Sequence, residues 1–187
     1  MEVKDTDRTI FDNVVNLICD QRHDYLNCLQ VIMGKLQLSK PDKALEYLRK
    51  VTSDMLETNI ITKLGNSYLT LFLLFAVQKS KNTGMDLTII IESGSAKCKD
   101  YKKETIDFLY NILMIAIDYI SIIEGEQNWI RLTLKEKDER SVWEFAMAPT
   151  VNCNDLFREL RKIEAQLPSK FGYLSIDEVH RLIIFTI

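Results

Sequence analysis

The stretch Gln21-Arg22-His23-Asp24-Tyr25-Leu26-Asn27 lies inside an apolar-periodic segment, residues 10–38. Apolar residues recur there at steps of three and four, which predicts one long helix packed against other helices. These residues are Leu26, Leu29, Met33 and Leu36. His23 falls beside that apolar row, in a polar stripe formed at the same helical spacing by Asn16, Asp20, Asn27, Gln30 and Gly34. A nucleophile that another protein must reach is expected on such a stripe.

Composition narrows the classes of function. The chain has 187 residues, 47% hydrophobic and 27% charged, with a net charge of -3, as expected of a globular protein of one or two domains. It has no basic block, so nucleic acid is not an expected partner. No signal peptide is evident, and the most apolar run, Tyr68 to Val77, is shorter than the roughly 20 residues that span a bilayer. We therefore expect a cytoplasmic protein.

Two helices of similar length predict an antiparallel hairpin at residues 1–63. Pro41 interrupts the first helix, and a second helical period follows from about Asp42 to Thr62. Such a hairpin has apolar faces that it does not cover by itself, so we expect two copies to associate as a four-helix bundle with two-fold symmetry. The alternative is that the hairpin packs on the rest of its own chain.

Residues 64–187 predict a second domain of α+β class. A helix at 67–82, a strand at 85–92, a loop at 93–99, and a helix at 102–123 are followed by paired strands near 129–135 and 142–147. A helix at 154–166 and two short strands at 171–176 and 179–187 complete the pattern. The arrangement favours an antiparallel or mixed sheet backed by helices, an α/β sandwich.

Few residues support catalysis. Of the two histidines, His180 is expected to be a satisfied structural residue within a strand, whereas His23 is a candidate nucleophile if it is exposed and oriented. Cys19, Cys28, Cys98 and Cys153 have neither the spacing of a metal site nor that of a disulfide framework, and are expected to be small core residues. Phosphate-binding glycine motifs are absent from the sequence.

The stretch from Arg22 to Leu38 resembles the phosphoacceptor helix of the sporulation initiation phosphotransferase B family, which is related to the dimerisation domain of citrate and dicarboxylate sensor kinases. The residues that carry the resemblance are Arg22-His23-Asp24-Tyr25-Leu26-Asn27, continued by Leu29-Gln30-Val31-Ile32-x-Gly34-x-Leu36-Gln37-Leu38. The likeness continues into Ala44 to Leu48 and more loosely to Leu87. After about residue 125 only the pattern of elements is similar.

The resemblance implies roles for individual residues. His23 would be phosphorylated, Asp24 would orient or deprotonate the imidazole, and Asn27 would position the phosphoryl group or the incoming aspartate. The partner-binding surface would use residues of the polar stripe and the residue before the histidine, namely Asn16, Asp20, Arg22, Gln30 and Gly34. The family is dimeric and transfers phosphoryl between response-regulator aspartates in a sporulation phosphorelay. No tightly bound cofactor is implied, and Mg²⁺ is expected to come from the response-regulator partner.

A departure from the kinase pattern favours the phosphotransferase. Histidine-kinase ATPase domains carry a motif resembling L-x-x-N-L-[IL]-D-N-A, which aligns with residues 108–116. Asn111 keeps the first asparagine, but Ile115 replaces the second and Met114 replaces the acid. An aliphatic side chain offers Mg²⁺ no oxygen ligand, so we expect a degenerate ATPase-like domain. The alternatives left open are an ATP-dependent histidine kinase and a docking regulator that carries no phosphate.

Overall fold

The computed structural model describes residues 3–92, 101–122, 128–138, 140–148, 154–166 and 172–187. The predicted loop at 93–99, together with Cys98 and Cys153, lies outside these residues. The chain divides into two compact units, Met1–Asn59 and Ile60–Ile187. The division falls a few residues before the predicted boundary near residue 63. The physical reason is that Ile61, only 1% exposed, belongs to the hydrophobic core of the second unit.

The first unit is a hairpin of helix α1, Val3–Gln37, and helix α2, Pro41–Asn59. Helix α1 begins earlier than the predicted residue 10, since residues 3–9 contain neither proline nor glycine to prevent helix formation. Helix α2 ends before the predicted Thr62. At the turn, the amide of Lys40 donates to the carbonyl of Lys35 at 2.9 Å, and Ser39 adopts a φ of 56°.

The seam between α1 and α2 is narrow. Among the side chains described in this unit, only Leu17 and Ala44 are fully buried, at 7% and 4% exposure. The Tyr47 hydroxyl contacts Cys28 Sγ at 3.8 Å, and Lys35 Nζ lies 5.8 Å from the centroid of the Tyr47 ring. These contacts set the height of α2 relative to α1.

The second unit contains a mixed five-stranded sheet. Its elements are a 3-10 helix at Ile61–Lys63, α3 at Ser67–Asn82, β1 at Asp86–Ile91, α4 at Lys103–Ser121, β2 at Trp129–Lys137, β3 at Arg140–Met147, α5 at Asn154–Gln166, β4 at Tyr173–Asp177 and β5 at Leu182–Thr186. The strand order is β1-β2-β3-β5-β4, with β1 parallel to β2 and the other pairs antiparallel. The α+β class predicted from the sequence is confirmed.

Alternation along the strands explains which face of the sheet is buried. In β2, Ile130, Leu132 and Leu134 are each at most 1% exposed, whereas Arg131 points to the other face and is exposed. The inward row continues across the sheet, where Leu132 pairs with Phe145 in β3 and Phe145 with Ile183 in β5. Helices α3, α4 and α5 contribute the remaining core side chains.

His180 lies in the turn between β4 and β5, so its placement within a strand was wrong. Asp177 accepts a hydrogen bond from the His180 backbone amide at 3.0 Å, and its other oxygen lies 2.7 Å from His180 Nδ1. These bonds hold the pKa of Asp177 below its usual value, the backbone amide being the largest cause. Four turn residues, Glu178 to Arg181, reverse the backbone, with Arg181 at a φ of 53°, so the histidine lies outside both strands.

Burial predicts how the second unit responds to substitution. Leu109→Ala removes a side chain that is 2% exposed, and we expect the free energy of unfolding to fall by about 2–5 kcal/mol. Val179→Ala, at a position 85% exposed, is the matched control and should change it by less than about 0.5 kcal/mol. Urea denaturation followed by tryptophan fluorescence measures both, and equal losses would contradict the assignment of the core.

Candidate functional site

Three kinds of surface run along helix α1. Successive residues are rotated by about 100°, so side chains three and four positions apart share a face. One face packs on α2 and includes Leu17, Cys28 and Lys35. A second, which we call the outer apolar face, carries exposed side chains: Phe11, Val15, Ile18, Leu26, Leu29, Met33 and Leu36. The polar stripe that contains His23 forms the third.

His23 is exposed, and Asn27 lies against its ring. Asn27 Nδ2 is 3.1 Å from His23 Nδ1, a contact across one helical turn that involves only one of the two ring nitrogens. Nε2 has no protein partner among the described residues and faces away from this contact. A ring contacted at Nδ1 leaves Nε2 accessible to another molecule, but attack through Nε2 requires the tautomer with its proton on Nδ1, because neutral imidazole attacks through its unprotonated nitrogen.

The orientation of the Asn27 amide selects the tautomer of His23. With Nδ2 toward the ring, the amide donates to an unprotonated Nδ1 and the proton resides on Nε2. Rotation of the amide by about 180° brings its oxygen to the same place, where it accepts a hydrogen bond from Nδ1–H. Only the second tautomer leaves a lone pair on Nε2. Asn27 can therefore stabilise either protonation pattern from one side-chain position.

Asp24 is not brought to the ring. It is half-buried and rotated by about 100° from His23, toward the face that packs on α2. Adjacent residues of a helix do not face each other, and among the described residues Asp24 makes no hydrogen bond or ion pair. Its expected role in orienting or deprotonating the imidazole stays a prediction.

The residues expected to bind a partner occupy two different faces. Asn16 and Gln30 are exposed on the polar stripe with His23, and Asp20 is half-buried there. Arg22 instead lies on the outer apolar face, one turn from both Ile18 and Leu26. Because its rotation from His23 is about 100°, Arg22 belongs to a different surface from the stripe. None of these placements tests the expected binding roles.

Gly34 leaves open space on the polar stripe. A Cβ atom built there meets no atom within 4 Å, so the glycine is not required by packing inside the protein. In a helix interior, glycine costs about 0.5–1 kcal/mol relative to alanine. A residue that costs stability without a packing reason is consistent with close approach of another molecule.

Tyr47 is a residue near the site that the sequence patterns did not single out. It reaches across the hairpin to Cys28, the neighbour of Asn27 in the chain, and this hydrogen bond is the main cause that raises its pKa. The signal in the sequence was its place in the helical period of α2, between Ala44 and Val51. That period predicted that Tyr47 packs against another helix, but it did not identify Cys28 as the contact. A pattern within α2 contains no information about the position of α2 along α1.

The segment aligned with the kinase motif lies on α4. Met114 and Ile115 are partly buried and pack against the core of the second unit, while Asn111 is exposed. Asp118, one turn beyond Met114, forms an ion pair with Lys79 of α3 at 2.5 Å. Apolar side chains therefore occupy the positions where a kinase would present oxygen ligands to Mg²⁺.

The described residues contain no group of three or more metal-binding side chains. Within the same part of the chain, no helix is sufficiently long and apolar to cross a membrane.

Exposure of His23 predicts that its replacement does not affect folding. We expect His23→Gln to change the free energy of unfolding by less than about 0.5 kcal/mol, because no buried contact is lost. Circular dichroism during thermal unfolding measures this, with Ala44→Asp as the positive control for a disrupted hairpin. Unfolding of the His23→Gln protein would assign the imidazole a structural role.

Gly34→Ala tests the open space beside the stripe. The added methyl group has room, so the helical hairpin should gain about 0.5–1 kcal/mol in stability. If a partner approaches the backbone here, the same variant should bind that partner more weakly. Thermal unfolding measures the first effect and titration calorimetry the second, and a destabilised hairpin would contradict the geometry.

Comparison with known proteins concerns the first unit. No curated protein matches this chain. A family model for the sensor-kinase SpoOB-type alpha-helical domain matches residues 6–64, a range that contains α2 and most of α1, including His23. Residues 6–64 are thus similar to the alpha-helical domain of the SpoOB sensor-kinase type, which confirms the predicted resemblance and supports a role of this part of the chain in two-component signalling.

Proposed function

We propose that the protein is a phosphotransferase of a two-component phosphorelay, with His23 as the phosphoacceptor. The observation that supports this most directly is the exposed imidazole contacted by Asn27 at Nδ1, which leaves Nε2 accessible. The SpoOB-type match over residues 6–64 supports the class of chemistry. A place in sporulation follows from the family resemblance alone.

In the proposed forward step, the Nε2 lone pair attacks the phosphorus of a receiver aspartyl phosphate. The new N–P bond forms as the P–O bond to the receiver carboxylate breaks, and the carboxylate leaves with the electron pair. The proton on Nδ1 is held by the Asn27 amide oxygen, so the phosphorylated ring carries a positive charge that makes it a good leaving group. Attack by a second receiver's aspartate then reverses the bond changes and restores neutral His23.

Phosphoryl transfer of this kind depends mainly on in-line positioning and charge neutralisation. In the proposal, the receiver supplies both the aspartate and the Mg²⁺ ion that neutralises the phosphoryl oxygens. The protein supplies an imidazole on a helix of 35 residues, whose backbone fixes the position of the ring. Asn16, Asp20, Gln30 and Gly34 line the surface on which the receiver docks.

A dimer is part of the proposal. Seven side chains of the outer apolar face of α1 are between 49% and 70% exposed, and α2 adds Leu45, Leu48, Met55 and Leu56 at 45% to 64%. A contiguous apolar surface of this kind marks an interaction site. Two hairpins that cover these faces mutually form a four-helix bundle and leave both copies of His23 outside it.

The match to a sensor-kinase domain favours one second candidate, an ATP-dependent histidine kinase. Against it stand Met114 and Ile115, which pack into the core where a kinase carries an acid and an amide. Titration with Mg²⁺ and a fluorescent ATP analogue separates the two, since saturable Mg²⁺-dependent binding would support the kinase.

Transfer itself is measured with a phosphorylated receiver domain from the same genome. We expect the protein to acquire label that is stable in base and labile in acid, and His23→Gln to lose it completely. Asn27→Ala should slow labelling by up to about tenfold, since one hydrogen bond to the ring is worth about 0.5–1.5 kcal/mol. Asn16→Ala removes an amide of the docking surface that does not contact the ring, so it should raise KM alone.

The pH dependence distinguishes tautomer control from docking. Loss of the Asn27 amide should change the pH dependence of the transfer rate, whereas a docking defect should raise KM alone. Label that persists in His23→Gln would contradict the proposal. A complex with the receiver but no label in either protein would favour a docking regulator.

A further inference from the structure

Arg22 is a charged residue in the middle of an otherwise apolar surface. On the outer apolar face of α1 it lies between Ile18 and Leu26, whose side chains are 59% and 49% exposed. Among the described residues, Arg22 makes no hydrogen bond or ion pair. Any molecule that covers this face must therefore accept hydrogen bonds from a guanidinium, because burial of an unpaired charge is strongly unfavourable.

Helix α2 carries a matching polar residue. Its exposed apolar positions 45, 48, 55 and 56 are interrupted by Thr52, which shares their face and is itself exposed. The Thr52 hydroxyl donates its only hydrogen to the Leu48 carbonyl at 2.9 Å. Its oxygen therefore acts toward an incoming molecule as an acceptor, which is what a guanidinium requires.

The two polar interruptions lie at similar heights. The helices are antiparallel, and Tyr47 of α2 contacts Cys28 of α1. Thr52, five residues after Tyr47, therefore lies at about the height of His23, five residues before Cys28. Thr52 is thereby within about one helical turn of Arg22 and of His23 along the hairpin. Between Phe11 and Leu36 in α1 and between Leu45 and Leu56 in α2, the other residues of these outer faces are apolar.

These observations indicate how a second copy of the hairpin would pack against the outer apolar faces of the first. A two-fold axis parallel to the helices relates each helix of a four-helix bundle to the one diagonally opposite. Each α1 then has two neighbours, its own α2 and the α2 of the second copy. This arrangement preserves height, so it places Arg22 of one copy beside Thr52 of the other. An axis perpendicular to the helices would place α1 against α1 and bring two cations toward each other.

We propose that Arg22 of each copy donates to Thr52 of the other, forming a polar layer that fixes the axis and register of the dimer at the height of His23. A single polar layer within an apolar helical interface is a known means of specifying register, since shifted arrangements bury the polar groups unpaired. This inference rests on the dimer of the proposed function. It also explains why an arginine precedes the phosphoacceptor His23 on an apolar face.

Cross-linking tests the geometry. The background is the full-length protein with four substitutions, Cys19→Ser, Cys28→Ser, Cys98→Ser and Cys153→Ser. Chains with Arg22→Cys carry one tag, and chains with Thr52→Cys carry another. The two kinds of chain are mixed and treated with a short bismaleimide. We expect a cross-linked product containing both tags. Lys50→Cys, on the polar face of α2, replaces Thr52→Cys as the control and should give none. A product of two Arg22→Cys chains, or no product, would overturn the proposal.

A double-mutant cycle tests the hydrogen bond. Thr52→Val keeps the shape but removes the acceptor, and we expect it to raise the dimer dissociation constant about tenfold by leaving the guanidinium unpaired. In the Arg22→Met background the same change should have no effect. Ser53→Ala is the matched control. Sedimentation equilibrium measures each variant, and equal effects of Thr52→Val in both backgrounds would exclude the contact.

The outcomes also separate this inference from the proposed phosphotransfer. A wild-type protein that sediments as a monomer overturns the polar layer even if His23 is labelled. Mixed cross-links without any labelling of His23 would retain the layer and reject the phosphotransfer.

Discussion

The burial of two helices against each other on only one narrow face is the constraint on which the first unit depends. Leu17 and Ala44 are the fully buried side chains described there, and Tyr47 closes the seam on Cys28. A seam this small leaves most of the apolar surface of α1 exposed. Helices in proteins gain stability mainly by tertiary packing, so the proposed association of two hairpins would add stability that this seam does not supply.

The division of α1 into faces also organises the chemistry. His23 and Asn27 share the polar stripe, about 100° away from the outer apolar face, so an interface can form without covering the imidazole. Asn27 touches Nδ1 and leaves Nε2 open. A rigid helix with one oriented ring is sufficient for a phosphoryl carrier, because the reaction requires alignment and charge neutralisation more than a complex active site.

The second unit is organised around its own hydrophobic core. Trp143, Phe145 and Phe185 are each at most 1% exposed within the sheet. Met114 and Ile115 are directed toward this core, so the part of α4 that aligns with a nucleotide-binding motif contributes packing instead. In the proposed relay, the phosphoryl group comes from a receiver. This unit therefore does not need the oxygen ligands that a kinase presents to the Mg²⁺ of ATP.

Helical periodicity and strand alternation in the sequence determined the elements of the fold and the α+β class, and the residues from Arg22 to Leu38 carry the SpoOB-type resemblance. These signals are local, since each depends on side chains a few residues apart. The sequence did not place the start of α1 at Val3, the division of the chain at Asn59, or His180 in a turn. Its helical spacing did place Asn27 one turn from His23, and the role that the resemblance gives to Asp24 stays a prediction. Only the tertiary structure decided the height of α2 on α1, because that height arises from contacts such as Tyr47 with Cys28 that join residues distant in the chain.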